Sequence, residues 1–383
     1  MSSERVSSPA RDRAAEMSGH PSAVEGPLEG YHHETYVIPL PEAVAGGDAG
    51  RGKCRSPREN LLWFDRRCFR SEERLLLALR GHMDGAAVPR VYTVTDETFL
   101  QEFIEGRTLG DLYPSGEPVP DAIVDQIFVL FEKLADIAPG DLSVERRCTP
   151  DDRSDDHDCA GFLERLVLFA EERVYRYNRP RLGTLFDELG LGDGCFGALR
   201  ERVAGLRPRR FCLLHADLHR ENFVVDAGGR LWTIDWELAM FGDPLYDLAT
   251  HLHLMRYPRW QHRLVAKRWA QVMEERWAGS IWEGGTEGWE EDLEKLLDFK
   301  RAQSVFTDVV RATEFLTRGP GHGDGVLTRE ARRVHSVLTA AERPLRLPGV
   351  PSPEHIAAAL ERTVRGRSAV LERPAIPGRG GAA

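Results

Sequence analysis

Apolar residues recur at three- and four-residue steps over residues 120–137, where Ile123, Ile127, Leu130, Phe131 and Leu134 share one face and predict an amphipathic helix. The same spacing marks Leu75, Leu76 and Leu79 within 72–80, and Phe162, Leu166, Phe169 and Val174 within 162–177. After Asp247 the pattern is helical to the end, most clearly over 299–316, 328–341 and 353–367, the last opened by Ser352-Pro353-Glu354. Runs of strand length lie elsewhere. They are 30–38 (a turn entering a strand), 53–55, 60–64, Val91-Tyr92 with Val94, 99–105 and 211–214. Residues 45–52 read as a glycine-rich loop. Strands dominate to about residue 105 and helices afterwards, so the expected class is α+β in two parts.

One hairpin breaks the helical half. Phe223, Val224 and Val225 read as a strand, Asp226-Ala227-Gly228-Gly229 as the turn, and Leu231 to Ile234 as the return. A hairpin sets its two ends side by side, so Asn222 at its entry and Asp235 at its exit can reach one metal ion. Upstream stands His215-Ala216-Asp217-Leu218-His219-Arg220-Glu221-Asn222. Phosphoryl transfer needs this set: a carboxylate to accept the proton of the attacking hydroxyl, and an amide oxygen with a second carboxylate to hold magnesium. An isolated His-x-Asp is more often a surface turn; three such residues in this order are not. Downstream, Gly242-Asp243-Pro244 is a helix start with Asp as N-cap and Pro in the first turn, and Asp247 sits one turn in. His215 is assigned to structure. His219 could face a phosphate or only pack.

These stretches resemble the aminoglycoside phosphotransferase family, a branch of the kinase-like superfamily that also holds choline kinases. The family carries a His-Gly-Asp-Leu-His-x-x-Asn loop, an Ile-Asp-Phe or Ile-Asp-Trp motif and a Gly-Asp-Pro-x-x-Asp-Leu-Ala helix start, and residues 211–250 match all three in order. The departures are Ala216, where Gly is usual, and Arg220-Glu221, where Pro-Gly is common. The resemblance implies a two-lobed protein-kinase-like fold with a small β-rich N-lobe (28–105, nucleotide-binding) and a large, mostly helical C-lobe (106–372, catalytic and acceptor-binding). It implies ATP or GTP with Mg2+ as cofactors and a small-molecule hydroxyl as acceptor. Asp217 would be the catalytic base, Asn222 and Asp235 the metal ligands, and His215 and Asp247 the supports of the catalytic loop. In the N-lobe, Lys53 would hold the phosphates and pair with Glu72 or Glu73, with Arg55 or Arg66 as replacements. At the hinge the Glu102 carbonyl and the Ile104 N–H would read the base. A kinase of another small hydroxyl metabolite, such as a sugar or a choline-like amine, and a non-catalytic nucleotide-binding protein of the same fold remain open.

Composition narrows the setting. The 383 residues suffice for two sizeable cores, with 42% hydrophobic and 29% charged residues. No apolar run is long enough to span a membrane, and residues 1–27 lack the apolar core of a secretory signal. Residues 1–27 and 373–383 are expected to be disordered. Six cysteines without a Cys-x-x-Cys pair fit a reducing cytoplasm and argue against structural zinc. The net charge of −10 argues against nucleic acid as partner. It suits a cationic acceptor as well as plain solubility, and Glu283, Glu287, Glu290, Glu291, Asp292 and Glu294 concentrate it. The acidic run 151–158 lacks the ligand pattern of a calcium loop. The glycines of 319–325 follow no strand and read as a loop, and His251 and His253 read as packing residues.

Overall fold

The chain is described by a computed structural model over residues 8–28, 30, 33–41, 44, 50–58, 64–95, 98–318 and 324–371. The expected strand at 60–64 (apart from Phe64), most of the 45–52 and 319–325 loops, and the 373–383 tail lie outside the described residues.

The first half builds one antiparallel sheet from β1 (Glu25–Leu28), β2 (His33–Pro39), β3 (Arg51–Pro57), β4 (Val91–Thr95) and β5 (Thr98–Glu102), in the order β1-β2-β3-β5-β4. In the register, Lys53 stands opposite Val37 and Gln101, and Gly52 opposite Glu102. Side chains alternate between the faces of a strand. Tyr36, Ile38, Leu40, Cys54 and Leu100 go to one face and bury Ala10 and Ala14 of the helix Pro9–Ser18. Lys53, Arg55 and Gln101 are on the other, and Gln101 reaches Glu72 at the start of the helix Glu72–Ala78.

The expectation of disorder through residue 27 is therefore corrected. Residues 9–18 are helical and 25–28 form a strand. The local reason is a complete set of end signals: Ser8 caps Arg11 N–H, Pro9 opens the helix, and Gly19 closes it at φ +67°. The buried face of this helix is mainly two alanines, so it carries little hydrophobic periodicity.

The catalytic stretch forms two small sheets. One pairs β7 (Cys212–Leu214) with β10 (Met240–Gly242), and the other orders β6 (Arg107–Thr108), β8 (Phe223–Val225) and β9 (Leu231–Thr233) as β6-β8-β9. The predicted hairpin is present, with Phe223 opposite Thr233 and Val225 opposite Leu231. Its turn is held by the predicted helix, here Asp121–Asp136, whose Gln126 donates to Gly229 O (3.1 Å) and accepts from Leu231 N–H (2.8 Å). Gly106 lies where an added Cβ would come within 2.4 Å of Val225 O, so the chain can pass the hairpin there only as glycine.

By packing, the chain divides into two units. The first comprises 1–162 and 207–293, holding all ten strands of the described residues, and the lobe boundary expected at 105/106 falls inside it. The second comprises 163–206 and 294–383 and is helical. Its core gathers Tyr175, Phe186, Phe196 and Phe306, with the Phe196 and Phe306 rings stacked at 4.7 Å. The helix expected over 162–177 runs as Cys159–Phe169, a π-helical stretch Ala170–Arg176, and Tyr177–Glu188. No helix among the described residues is long and apolar enough to cross a membrane.

Candidate active site

The loop after β7 is positioned through Asp247. On the helix Pro244–Met255, Asp247 accepts the backbone N–H of His215 (3.1 Å) and of Ala216 (2.7 Å). The helix itself starts from Asp243, whose side chain accepts Leu245 N–H at 2.9 Å. Ala216 has φ +64°, in the left-handed region. A Cβ there costs about 1–2 kcal/mol, which gives a physical reason for the family's usual glycine. The His215 side chain is buried, contacts Ile234 O at 3.1 Å through Nε2, and packs edge-on against Trp236. Burial drives its pKa down to about 4, so it is a neutral spacer between the two loops.

Asp217, Asn222 and Asp235 come together as the hairpin argument requires. Asn222 donates its side-chain amide to Asp217 Oδ2 (3.0 Å) and to Asp217 O (2.9 Å). Ile234 N–H bonds Asn222 O at 2.9 Å, which closes the hairpin and sets Asp235 beside Asn222. Asp235 has φ +64°, and its Oδ1 is buried without a hydrogen-bond partner. Its carboxyl is pushed up in pKa by burial, with Glu72 and Asp217 adding to the effect and Arg55 opposing it. Glu237, two residues on, is buried and raised to about 8 by burial and by Asp235. These carboxylates share few cations, so the site favours a further positive charge.

His219 contacts Asp217: its Nε2 lies 3.4 Å from Asp217 Oδ2, and its Nδ1 accepts Glu221 N–H at 3.2 Å. Burial pulls its pKa down, but the bond to Asp217 wins and raises it. Of the two readings left open for His219, neither foresaw this contact with the neighbouring acid. Arg220, the departure from the usual proline, is buried and donates to Met255 O (2.8 Å), Glu117 O (2.8 Å) and Tyr113 O. It ties the loop to the 113–117 segment.

The N-terminal sheet supplies the basic residues, and here the expected pairing is corrected. Arg55, not Lys53, forms the ion pair with Glu72, and its Nη2 lies 3.5 Å from Asp235 and 3.6 Å from Glu237. The reason is reach. Both residues are on the same strand face, but Arg55 presents a planar fork to the buried carboxylate. Glu72 also accepts Gln101 Nε2 and Trp236 N–H, each at 3.0 Å. Burial would raise the Glu72 pKa; Arg55, Lys53 and these donors overcome it and hold it at about 2. Lys53 makes no hydrogen bond or ion pair among the described residues. Its ammonium is drawn down in pKa by burial and by Arg55. Glu102 ends β5 and accepts Arg90 N–H through its side chain (2.9 Å). Ile104 is buried in the link that follows, and its N–H has no partner among the described residues.

The acidic cluster expected to face an acceptor is partly committed elsewhere. Asp292 is fully buried and bonds Arg209 (2.5 Å) and Arg207 N–H (3.0 Å), and Glu291 pairs with Arg207 at 3.0 Å.

Residues 54–291 match the family described as the phosphotransferase enzyme family (APH). No curated protein sequence matches the chain. Among solved structures, a thermostable mutant of the aminoglycoside phosphotransferase APH(4)-Ia, in ternary complex with AMP-PNP and hygromycin B, is similar at 16% identity. It covers 88% of this chain and 99% of its own, with a TM-score of 0.50. A choline/ethanolamine kinase family protein from Mesorhizobium loti has 16% identity, coverage of 92% and 98%, and a TM-score of 0.47. A macrolide 2′-phosphotransferase from Brachybacterium faecium has 14% identity, coverage of 89% and 97%, and a TM-score of 0.44. The likeness to the first shows the kinase-like α+β fold.

Proposed function

The chain belongs to the phosphotransferase enzyme family, and from that premise we propose that it transfers the γ-phosphoryl group of ATP or GTP to a hydroxyl of a small, amino-bearing acceptor, of the aminoglycoside kind. The observation that carries the reading is the Asp217–Asn222 bond at 3.0 Å beside Asp235, set by the closed hairpin. In this proposal Asp217 orients the acceptor hydroxyl and takes its proton, while His219 holds the Asp217 carboxylate in place. Asp247 and His215 keep the loop rigid, so that little reorganisation is needed when the hydroxyl arrives. Residues 28–105 serve as the nucleotide lobe and 106–372 as the catalytic lobe, with the Glu102 carbonyl and the Ile104 N–H toward the base.

Magnesium would be held by Asn222 and Asp235. The fit rests on Asp235 Oδ1, buried without a hydrogen bond and facing Arg55 Nη2 at 3.5 Å, and on Asn222, whose amide is spent on Asp217 and leaves its oxygen to accept. No group of three or more His, Cys, Asp or Glu among the described residues could hold a metal. Magnesium takes one or two protein ligands and completes its shell with phosphate and water. Bound there, it would neutralise charge on the triphosphate.

The acceptor class has its support in the family and in the hygromycin B bound by the APH(4)-Ia neighbour. With Asp292 and Glu291 already paired, the acidic cluster adds little to it. The test is nucleotide consumption against aminoglycosides, amino alcohols and neutral sugars at saturating Mg-ATP. We expect turnover with an amino-bearing compound. A neutral sugar as best substrate overturns the acceptor class, and nucleotide binding without turnover on any acceptor overturns the enzyme assignment.

A further inference from the structure

Arg66, Arg146 and Arg153 line a cavity of about 50 Å3 together with Phe69, Phe162, Phe211, Phe241, Cys148 and Asp156. None of these belongs to the Asp217 centre. Each guanidinium is anchored by one backbone carbonyl: Arg66 by Asp152 O, Arg146 by Pro139 O at 2.9 Å, and Arg153 by Cys148 O at 2.7 Å. Arg66 and Arg153 also lie beside the Cys68 and Cys148 thiols, and Arg146 stacks on the Phe241 ring at 4.8 Å. Among the described residues no carboxylate lies within ion-pair distance of any of the three, and the Nε of Arg66 and of Arg153 is buried without a hydrogen-bond partner. Three guanidiniums thus share this lining with one carboxylate, Asp156, in a chain whose net charge is −10. Carboxylates are abundant, yet among the described residues none pairs with these guanidiniums. Grouped guanidiniums repel, and partly buried charge without a counter-charge is costly.

We propose that this pocket binds a free tetrahedral oxyanion of phosphate size, which supplies the missing counter-charge. One water needs roughly 10–15 Å3 of such space, so the cavity has room for a few waters or one oxyanion. Arginine forks match phosphate oxygens in pairs, and the phenylalanine walls lower the local dielectric and strengthen the field.

Binding would act on two segments at once. Arg66 precedes the helix that carries Glu72, whereas Arg146 and Arg153 belong to the connection after Asp121–Asp136. The segments already touch through Arg147 N–H to Cys68 O (2.8 Å) and Arg70 N–H to Glu145 O (3.1 Å). An ion bonded to both would clamp this seam and stabilise the approach to Glu72.

The test is thermal unfolding of the full chain in sodium phosphate, sulfate or chloride at matched ionic strength, with and without saturating Mg-AMP-PNP. We expect a saturable rise in Tm with phosphate and sulfate, absent with chloride and retained with the nucleotide present. Glycerol 2-phosphate should give no rise, because its ester does not fit. Arg146→Gln and Arg153→Gln should each weaken phosphate binding roughly tenfold or more, as expected for one charged hydrogen-bond partner. Should either variant not fold, Arg153→Lys, titrated with phosphate by calorimetry, should show weakened but measurable binding. A Tm rise that disappears with Mg-AMP-PNP places the ion in the nucleotide site and overturns the proposal. So do equal effects of chloride, a stronger effect of the ester, or unchanged affinity in the arginine variants.

Discussion

At the scale of residues, two basic side chains on one strand face are in different situations. Arg55 is buried against Glu72, and Lys53 has no hydrogen bond or ion pair among the described residues. Removing one member of a buried pair leaves an uncompensated charge, at a cost of about 3–5 kcal/mol. Arg55→Met should therefore lower the unfolding midpoint strongly. Lys53→Met should leave the midpoint nearly unchanged and weaken Mg-AMP-PNP binding in calorimetry. The reverse pattern would return the Glu72 pairing to Lys53. The sequence could place both residues near Glu72 but could not choose between them, because 53 and 55 share strand parity and the choice depends on side-chain reach.

His219 carries the pH dependence. Its folded pKa is raised by Asp217 above the ordinary value of about 6.5. A raised pKa means that the protonated form is stabilised by folding. This contribution is fully present below about pH 6.5 and is lost as pH rises through the folded value. Comparison of wild type with His219→Asn from pH 5.5 to 8.5 should show the wild-type advantage in Tm shrinking as pH rises. A constant difference would remove His219 from contact with Asp217. The proximity of Asn222 and Asp235 was legible because spacing along the chain reports which residues a hairpin sets together; Asp217 lies upstream of the hairpin, and its place came from the loop motif. The His219 contact was not, since it depends on a side-chain torsion.

At the scale of elements, the same contrast recurs. The hairpin, the helix start at Asp243 and the helix Asp121–Asp136 follow from turn chemistry, capping and periodicity. The helix Pro9–Ser18 escaped because alanines carry its buried face, and Gly194–Val203 because two of its positions are glycine. Burial also hides roles. Asp292 looked like surface acid but closes a buried chain, Asp243–Arg209–Asp292, in which all three side chains are shielded from solvent. This chain steadies the cap of the helix that carries Asp247. Asp292→Ala should cost about 3–5 kcal/mol in urea unfolding, since it strands the Arg209 charge. A change below about 1 kcal/mol, the range of exposed pairs, would show that Asp292 acts as surface acid after all.

At the scale of the molecule, the family match spans 54–291 and so covers both the strand with Arg55 and the Asp217 loop, while the second unit is helical and lies mostly beyond it. The sequence motifs concentrate on 211–250, where backbone geometry is most constrained, and they say little about acceptor contacts, which place no such demand on spacing. The account stands on Asp217 as the group that receives the acceptor proton. The most direct measurement is steady-state turnover with Mg-ATP and the active acceptor in wild type and Asp217→Asn, with nucleotide affinity determined by calorimetry on the same preparations. Turnover in the variant should fall by at least ~10²-fold, with nucleotide affinity unchanged. Turnover close to wild type, in a variant that binds nucleotide normally, would contradict it.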